Sequence, residues 1–230
     1  MITENADLKT VRSFVDFYQL YYKDEQKEKL LPFSIPYRTE GLTIFFENYW
    51  LSKLVSESKA EKIGVASWKL RDKMRARVGF RVPLSVEVLN SDYEVLSLTK
   101  NSKKHTMLAH LYHWHPSSKQ AMELLWSKLG FKLCGEVKNP IYQNHFLAKR
   151  EIYQDYVNNF LNPAMELIKT DEELNNLMMK DSGYGKLSRE ADTKSVKEKL
   201  GLSFYPLAPF ILERCPSCYF QMKNYNISYL

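Results

Sequence analysis

The sequence predicts a single α/β domain in which helices flank a mixed sheet, and three stretches carry this prediction. Val11 to Tyr22 is rich in β-branched and aromatic residues, Leu42 to Val55 has apolar residues at helical spacing, and Ile63 to Ala66 is a short apolar run between polar residues. A strand, loop, helix and strand in this order are expected of a right-handed crossover in an α/β sheet. The length of 230 residues suffices for one domain with a large core.

The segment after the first strand is predicted to be a loop. Lys23 to Lys29 is a charged break, and the following LPFSIPY holds Pro32 and Pro36. Because proline fixes φ and restricts the residue before it, this segment should be extended. We therefore expect the chain to re-enter regular structure only at the helix that begins near Leu42.

Further elements of both kinds follow along the chain. Tyr93 to Thr99 and Ile141 to Ala148 are predicted strands, and Glu151 to Ile168 is a predicted long amphipathic helix that Pro163 interrupts. The polar residues from Thr170 to Lys199 predict a mobile insertion at about 170–200 that is suited to be a lid over a ligand.

A basic cluster directly follows the strand at Ile63. The apolar run ends in Ser67 and Trp68, and five cations follow it: Lys69, Arg71, Lys73, Arg75 and Arg77. In open α/β sheets ligands bind beyond the carboxyl ends of the strands. A Trp and several cations at such a strand end suit an anionic ligand with a planar ring, such as a nucleoside diphosphate. The alternative is a core strand followed by a solvated basic helix.

Metal and redox sites have weaker signals. Asp92 and Glu94 are the nearest approach to the paired acids that hold a divalent cation, although they precede their strand and also suit a solvated turn. His110 and His113 would share a helical face, but an acidic ligand is missing from the pattern. Cys215 and Cys218 have thiol-disulfide spacing, yet they lie at the end of the chain instead of near the start of a βαβ unit.

Glu213 is the single acid in the apolar and aromatic segment from Tyr205 to Lys223, which we expect to contain a helix docked on the sheet. An isolated buried carboxylate is costly unless it is paired or functional. Glu213 is therefore either bonded to a cation such as Arg214 or part of a site.

The net charge and the hydropathy of the sequence indicate which partners the protein binds and in which cellular compartment it lies. The net charge of +6 and the pI near 9.0 favour anionic partners, such as nucleotides, phospholipid headgroups or nucleic acid. No apolar run reaches the roughly 18 to 20 residues that span a bilayer, and the first residues lack the pattern of a signal peptide. Together with only three cysteines, these features predict a cytoplasmic protein.

Several blocks, taken in order, resemble a bacterial family of glycosyltransferases encoded in capsule and lipopolysaccharide loci. The blocks are EGLTIFFENYWLSKL, EKIGVASWKLRDKM, NHFLAKREI and PFILER. The resemblance covers about two thirds of the chain discontinuously and is strongest in the last two blocks. Trp68 stands where the family has His, Leu70 where it has the first Arg of a pair, and Arg71 on the second Arg. Asn144, Glu213 and Arg214 match the family directly.

The resemblance implies a GT-A-like (Rossmann-like) fold and transfer of a sugar from a nucleotide-sugar donor to a glycan or lipid-linked acceptor in surface polysaccharide synthesis. Glu213 would supply the carboxylate that acts as base or stabilises the oxocarbenium-like centre. Arg71, with Lys69 or Lys73, would neutralise the departing diphosphate, and Trp68 or Tyr18 would stack on the base or a sugar.

The remaining expectations concern further substrate contacts, a metal ion and the membrane. Asn144 would hydrogen-bond sugar hydroxyls, Arg214 belongs to the same substrate site, and Gln19 is a further candidate at the end of the first strand. Mn²⁺ or Mg²⁺ would assist the donor if Asp92 and Glu94 hold a metal. The sequence also leaves open whether the protein associates peripherally with the inner face of a membrane.

Two alternatives to an active transferase remain. A non-catalytic protein that binds RNA or a membrane surface would also show this positive charge and these interleaved tyrosines. A relative that has lost transfer activity would keep the fold and could still bind a nucleotide. Binding and turnover therefore have to be measured separately.

Overall fold

Six strands form one mixed sheet in the computed structural model, which describes residues 14–73, 86–98, 106–137, 140–141, 143–187 and 192–229. Across the sheet the strand order is β2-β1-β3-β5-β4-β6. Strand β5 is antiparallel to both of its neighbours, and the other neighbouring pairs are parallel. In chain order the strands are β1 (Val15–Tyr21), β2 (Ile35–Arg38), β3 (Lys62–Ser67), β4 (Val95–Ser97), β5 (Phe146–Lys149) and β6 (Ile227–Tyr229).

Helices flank the sheet, so the predicted α/β class with a mixed sheet is confirmed. A 3₁₀-helix spans Asp24–Lys29, and a π-helical turn, Val157–Leu161, joins α5 to α6. Within the described ranges, no helix combines the length and apolar character that a membrane crossing requires. The α-helices are α1 (Glu47–Glu57), α2 (Val86–Asn90), α3 (Met107–Trp114), α4 (Ser118–Lys128), α5 (Arg150–Tyr156), α6 (Asn162–Thr170), α7 (Glu172–Met178), α8 (Tyr184–Leu187), α9 (Thr193–Leu200), α10 (Ala208–Leu212) and α11 (Cys215–Met222).

Strand β3 is central to the sheet, and all of its residues are buried. Successive side chains of a strand point to opposite faces. Val65 accordingly belongs to the larger hydrophobic core and Ala66 to the smaller one. Gly64 allows the neighbouring strand to pack closely, since a β-carbon at this position would lie 2.5 Å from Cδ2 of Phe17. The burial on both faces explains why β3 is a continuous apolar run in the sequence.

The larger core contains a cluster of aromatic rings that packs between the sheet and the long helices. The centroids of Trp126 and Phe160 are 4.7 Å apart, and those of Phe146 and Tyr153 are 4.6 Å apart. Full burial of a side chain of this size contributes about 2–3 kcal/mol by removing apolar surface from water. This core fixes the helices that carry one wall of the cleft described below.

The structure shows two strands that the sequence did not predict. The segment with Pro36 was predicted to be a loop, but Ile35–Arg38 is strand β2. The loop prediction was wrong because β2 is an edge strand, where a proline that cannot donate a hydrogen bond is tolerated. Ile227–Tyr229, for which no strand was predicted, forms β6 beside β4 at the opposite edge.

Most predicted elements exist with different bounds. In place of Val11 to Tyr22 and Tyr93 to Thr99, the strands are Val15–Tyr21 and Val95–Ser97, and residues 11–13 and 99 lie outside the described ranges. The predicted helix at Leu42 begins only at Glu47, because residues 43–46 form turns.

The long helix around Pro163 continues through the proline, although the sequence predicted an interruption. Pro163 occupies the first turn of α6, directly after the π-helical turn. The wider turn accommodates a residue that lacks an N–H and whose ring would clash with the preceding turn of an α-helix. The aromatic residues of this segment therefore stay on one buried face.

The segment at 170–200, predicted to be a mobile insertion, contains helices α7, α8 and α9. Leu174 and Met178 of α7 are fully buried in the larger core, so the first part of this segment packs as an integral layer. The second part of the segment contributes to the cleft described next, through Tyr184, Asp192, Ser195, Val196 and Lys199. The mobility of the segment stays a prediction.

Candidate functional site

A cleft of about 460 Å³ lies at the carboxyl edge of the parallel strands. Tyr22, Thr39 and Trp68, which directly follow β1, β2 and β3, all line it. Gln143, which precedes the antiparallel strand β5, lines the cleft from the same edge. The cleft therefore occupies the position at which open α/β sheets bind ligands.

Two lysines supply positive charge on one side of the cleft. Lys69 and Lys73 both line it, and the Lys73 N–H donates to the Lys69 carbonyl across one helical turn. Trp68 lies beside these cations, with the Lys69 Nζ 5.3 Å and the Lys29 Nζ 4.7 Å from its ring centroid. Of the groups predicted at the end of β3, Trp68, Lys69 and Lys73 line the cleft and Arg71 does not, while Arg75 and Arg77 lie outside the described residues.

Glu47 is a cleft residue that the sequence did not single out. It is the first residue of α1 and is half-buried. Burial and then the negative charge of Glu213 raise the pKa of Glu47 to about 7, and the charges of Lys73 and Lys69 oppose this rise. Near neutral pH this carboxyl group can therefore hold or release a proton.

The residue before Glu47 has an uncommon backbone conformation. Phe46 has φ of 48° and ψ of −125°, a region that non-glycine residues rarely occupy. Its ring stacks on Tyr205 with centroids 5.6 Å apart, and both rings line the cleft. Strain of this kind costs about 1–3 kcal/mol and concentrates at functional sites, so it supports a functional role for this wall.

Glu213 and Arg214 lie in the cleft as an ion pair. The Arg214 Nη1 lies 3.3 Å from the Glu213 Oε2, and the side chains are 6% and 18% exposed, respectively. The interpretation of Glu213 as an acid bonded to Arg214 is confirmed, and its role as a site residue stays a prediction. Arg214 adds a positive charge to the cleft lining besides those of Lys69, Lys73 and Lys199.

His115 contributes a nearly buried imidazole to the same cleft. Its Nδ1 lies 2.7 Å from the carbonyl oxygen of Ser182, and its ring contacts that of Phe210 with centroids 4.5 Å apart. Burial lowers the pKa of His115, as does the charge of Arg214, whereas the Ser182 carbonyl and Glu213 oppose this shift. The metal interpretation of the sequence concerned His110 and His113, and no pattern in the sequence distinguished His115.

The mouth of the cleft is aromatic. Trp114 is 46% exposed and Tyr22 is 42% exposed, and both line the cleft together with Trp50. Large aromatic rings that stay exposed at one concave surface are typical of ligand sites. These rings offer flat faces on which a sugar or a nucleobase could pack.

Several residues with predicted substrate roles lie outside the cleft lining. Gln19 is buried and structural, because its Nε2 donates to the Ser67 carbonyl and its Oε1 accepts from the Leu31 N–H. Tyr18 is partly buried and donates to Asp16 Oδ2 at 3.3 Å.

Arg71 and Asn144 also lie away from the cleft lining. Arg71 is half-buried in the helical turn that carries Lys69. The Asn144 Nδ2 donates to the Asn48 Oδ1 at 2.9 Å, and Asn144 is only 2% exposed. Gln143, its neighbour in sequence, is the residue of this turn that reaches the cleft.

The predicted metal pair lies at the opposite edge of the sheet. Asp92 and Glu94 precede β4, whose carboxyl end points toward the cleft edge. Asp92 forms an ion pair with Lys149 at 3.0 Å, and the Glu94 Oε2 accepts from the Asn226 N–H at 2.6 Å. Among the described residues, no group of three or more His, Cys, Asp or Glu side chains is placed to hold a metal.

The remaining metal and redox candidates do not form a second site. His110 lines the cleft, whereas His113 on the same helix is exposed outside it. Cys215 and Cys218 are buried in the larger core. The CxxC spacing is thus accommodated by one face of helix α11 that packs on the sheet.

Comparisons with known proteins identified no relative of this chain. No protein family matches the chain, no curated protein is significantly similar to it, and no solved structure matches its fold.

Proposed function

We propose that this protein is a glycosyltransferase that transfers a sugar from a nucleotide-sugar donor to a glycan or lipid-linked acceptor. One observation carries the proposal: the cleft at the carboxyl edge combines cations, carboxylates and aromatic rings. Its cations are Lys69, Lys73, Lys199 and Arg214, and its carboxylates are Glu47, Asp192 and Glu213. The mixed sheet is compatible with the GT-A-like fold that the sequence resemblance implies.

The donor diphosphate would occupy the side of the cleft formed by Lys69 and Lys73. Phosphate oxygens form strong, charge-assisted hydrogen bonds with ammonium groups. The two lysines also stabilise the negative charge that develops on the diphosphate as it leaves. Trp68, directly before Lys69, offers its ring to the base or a sugar.

The size of the cleft suits a small ligand. A volume of about 460 Å³ lies within the 300–1,000 Å³ that is typical of ligand pockets. The exposed rings of Tyr22 and Trp114 at the mouth would extend the binding surface to the acceptor. The acceptor would therefore enter over the aromatic mouth while the diphosphate contacts the lysines inside.

Glu213 is the proposed catalytic carboxylate. Its ion pair with Arg214 holds its side chain in the cleft, where a carboxylate can stabilise the positive charge developing at the anomeric carbon. Glu47 contributes a second carboxyl group beside it. Carboxylates that line this cleft would repel a polyanion, so a small anionic ligand held by the lysines fits better than RNA.

The wider setting is part of the same proposal. Surface polysaccharide synthesis at the cytoplasmic face of a membrane would supply a lipid-linked acceptor, and the positive net charge favours contact with anionic lipids. A requirement for Mn²⁺ or Mg²⁺ stays a prediction that a donor assay with and without metal tests.

The experiment is a transfer assay on purified protein. Wild-type protein is incubated with a panel of nucleotide sugars and oligosaccharide or lipid-linked acceptors, with and without Mn²⁺, and nucleotide release is compared with glycosylated product. We expect one donor to support acceptor-dependent release and Glu213→Gln to lower kcat at least 100-fold with donor affinity retained. Full transfer activity and unaltered donor affinity in Glu213→Gln would show that the catalytic assignment is wrong. Donor binding without turnover in the wild type would indicate an inactive relative.

A further inference from the structure

His115 is held rigidly at the end of helix α3. Its backbone N–H donates to the Leu111 carbonyl at 2.8 Å, and its backbone carbonyl accepts from the Ser118 backbone N–H at 2.8 Å. The side chain packs on Phe210, and the residue as a whole is only 6% exposed. The imidazole therefore has one defined position in the cleft wall.

The hydrogen bond to Ser182 defines which nitrogen carries the proton. A backbone carbonyl can only accept, so the Nδ1 that lies 2.7 Å from the Ser182 oxygen must be the protonated nitrogen. In the neutral ring the Nε2 then carries a lone pair. Within the described ranges no hydrogen bond to Nε2 exists, and His115 lines the cleft, so this lone pair is available to a ligand.

The surroundings of His115 favour the neutral ring at neutral pH. Burial lowers the pKa of His115, and the charge of Arg214 acts in the same direction. The Ser182 carbonyl and the Glu213 carboxylate oppose the shift but are outweighed. Tyr184, from helix α8, also contacts Phe210 beside the imidazole. The other titratable side chains that line the cleft are Glu47, Lys69, Lys73, His110, Asp192, Lys199 and Tyr205.

We propose that the Nε2 of His115 is the base that accepts the proton of the acceptor hydroxyl. This inference rests on the proposed transferase function and adds to it a residue that no sequence pattern identified. In the step, the hydroxyl proton moves to Nε2 while the acceptor oxygen forms a bond to the anomeric carbon. The bond between that carbon and the diphosphate oxygen breaks, and its electron pair leaves on the diphosphate. Glu213 then stabilises the sugar cation and need not take the proton.

Ser182 is a positioning residue in this arrangement. It belongs to the segment at 170–200, and its N–H donates to the Tyr205 carbonyl at 2.9 Å. The adjacent residue Asp181 forms an isolated β-bridge with Pro206. The segment predicted to be a lid is thus tied to the C-terminal helices at the point where its backbone orients the imidazole.

The test compares His115→Asn with a matched control, His113→Asn. The side-chain amide introduced by His115→Asn can still donate to the Ser182 carbonyl, whereas the basic Nε2 is lost. We expect kcat to fall by about 100- to 10,000-fold, with donor affinity unchanged. In a Glu47→Gln background, which removes the cleft carboxyl group whose pKa is about 7, kcat/KM should decrease below the pKa of His115, and this acidic limb should be absent when His115→Asn is added. His113 lies outside the cleft, so His113→Asn should keep both the rate and the limb.

Proton–nitrogen NMR spectra of histidine-labelled protein give a readout that does not need activity. They should show His115, assigned by its loss in His115→Asn, as a neutral ring protonated at Nδ1 at pH 7. Protonation at Nε2, or a charged ring at pH 7, would overturn the inference. Retention of the acidic limb in an active Glu47→Gln/His115→Asn double variant would overturn it while the transferase function stands. Absence of nucleotide-sugar binding and transfer in the wild type would overturn the proposed function as well.

Discussion

Glu47 and Glu213 belong to opposite ends of the chain, yet both carboxyl groups line one cleft and interact there. Glu47 begins the helix after β2, and Glu213 follows the helix Ala208–Leu212 near the C-terminus. The two elements are joined through Asn48, whose Nδ2 lies 3.5 Å from the Pro209 carbonyl. The core packing therefore places two like charges close to each other in a cleft that Lys69, Lys73, Lys199 and Arg214 also line.

The first prediction concerns the pH dependence of stability that Glu47 imposes. Its pKa is about 7 in the folded protein, against an ordinary value of 4.5. Below pH 4.5 both states hold the proton, and between pH 4.5 and 7 only the folded state holds it, so stability falls as the pH rises through this window. Glu47→Gln removes this cost and should be stabilised relative to the wild type by about 1–3 kcal/mol at pH 8 and much less at pH 4 to 5.

Denaturant unfolding at several pH values from 4 to 8 measures this difference. Glu57→Gln is the control, because Glu57 lies in the same helix and is exposed. Its stability difference from the wild type should stay within about 0.5 kcal/mol at every pH. A Glu47→Gln variant whose stability parallels that of the wild type from pH 5 to 8 would show that the Glu47 carboxyl group titrates normally.

The second prediction separates a structural role of Asn144 from its predicted contact with sugar hydroxyls. The buried side chain donates to Asn48, and the backbone has φ of +53°. Asn144→Ala loses the hydrogen bond and puts alanine in the left-handed region, so it should cost about 2–4 kcal/mol of stability. Asn144→Gly loses the same hydrogen bond but adopts this φ freely, and it should cost about 1 kcal/mol less.

Urea denaturation of both variants, followed by measurement of the donor KM, tests this role. A structural role of Asn144 predicts that the unfolding midpoint falls from the wild type to Asn144→Gly and is lowest in Asn144→Ala. It also predicts that the donor KM of both variants stays within about twofold of the wild type. Unchanged midpoints combined with a strongly raised donor KM would instead place Asn144 in contact with the sugar.

The sequence was informative where a local pattern has one physical solution. A continuous apolar run such as Ile63 to Ala66 requires a strand that is buried on both faces, and the residues after it must lie at the sheet edge. Trp68 and Lys69 could therefore be assigned to the ligand edge from the residue pattern alone. Glu213 was identified because an acid in an apolar segment needs a partner, and Arg214 is that partner.

The rest of the site depends on contacts between distant parts of the chain, which periodicity does not contain. In the sequence, Glu47 cannot be distinguished from any other acid in the first turn of a helix. Only the fold shows that the charge of Glu213 acts on it and raises its pKa. His115 becomes distinctive only through the carbonyl of Ser182, a residue on a different segment. Likewise, Pro36 indicates a loop unless one knows that Ile35–Arg38 is an edge strand.

The most direct test of the nucleotide cleft is a thermal-shift screen of nucleoside diphosphates and nucleotide sugars, with and without Mn²⁺. It compares the wild type with the double variant Lys69→Ala/Lys73→Ala, with Arg71→Ala, and with the exposed control Lys119→Ala. A ligand at 100 times its Kd stabilises the folded state by about 2.7 kcal/mol, which raises Tm by roughly 5–10 °C for a chain of this size.

We expect one nucleotide or nucleotide sugar to produce such a shift in the wild type and in Lys119→Ala. The double variant should bind it about 10- to 100-fold more weakly, because each lost ammonium removes a charge-assisted contact with the diphosphate. A loss in Arg71→Ala of similar size would assign the sequence-predicted arginine to the donor as well. Unchanged melting temperatures across the whole panel, or a shift that persists fully in the double variant, would contradict a nucleotide-diphosphate site at Lys69 and Lys73.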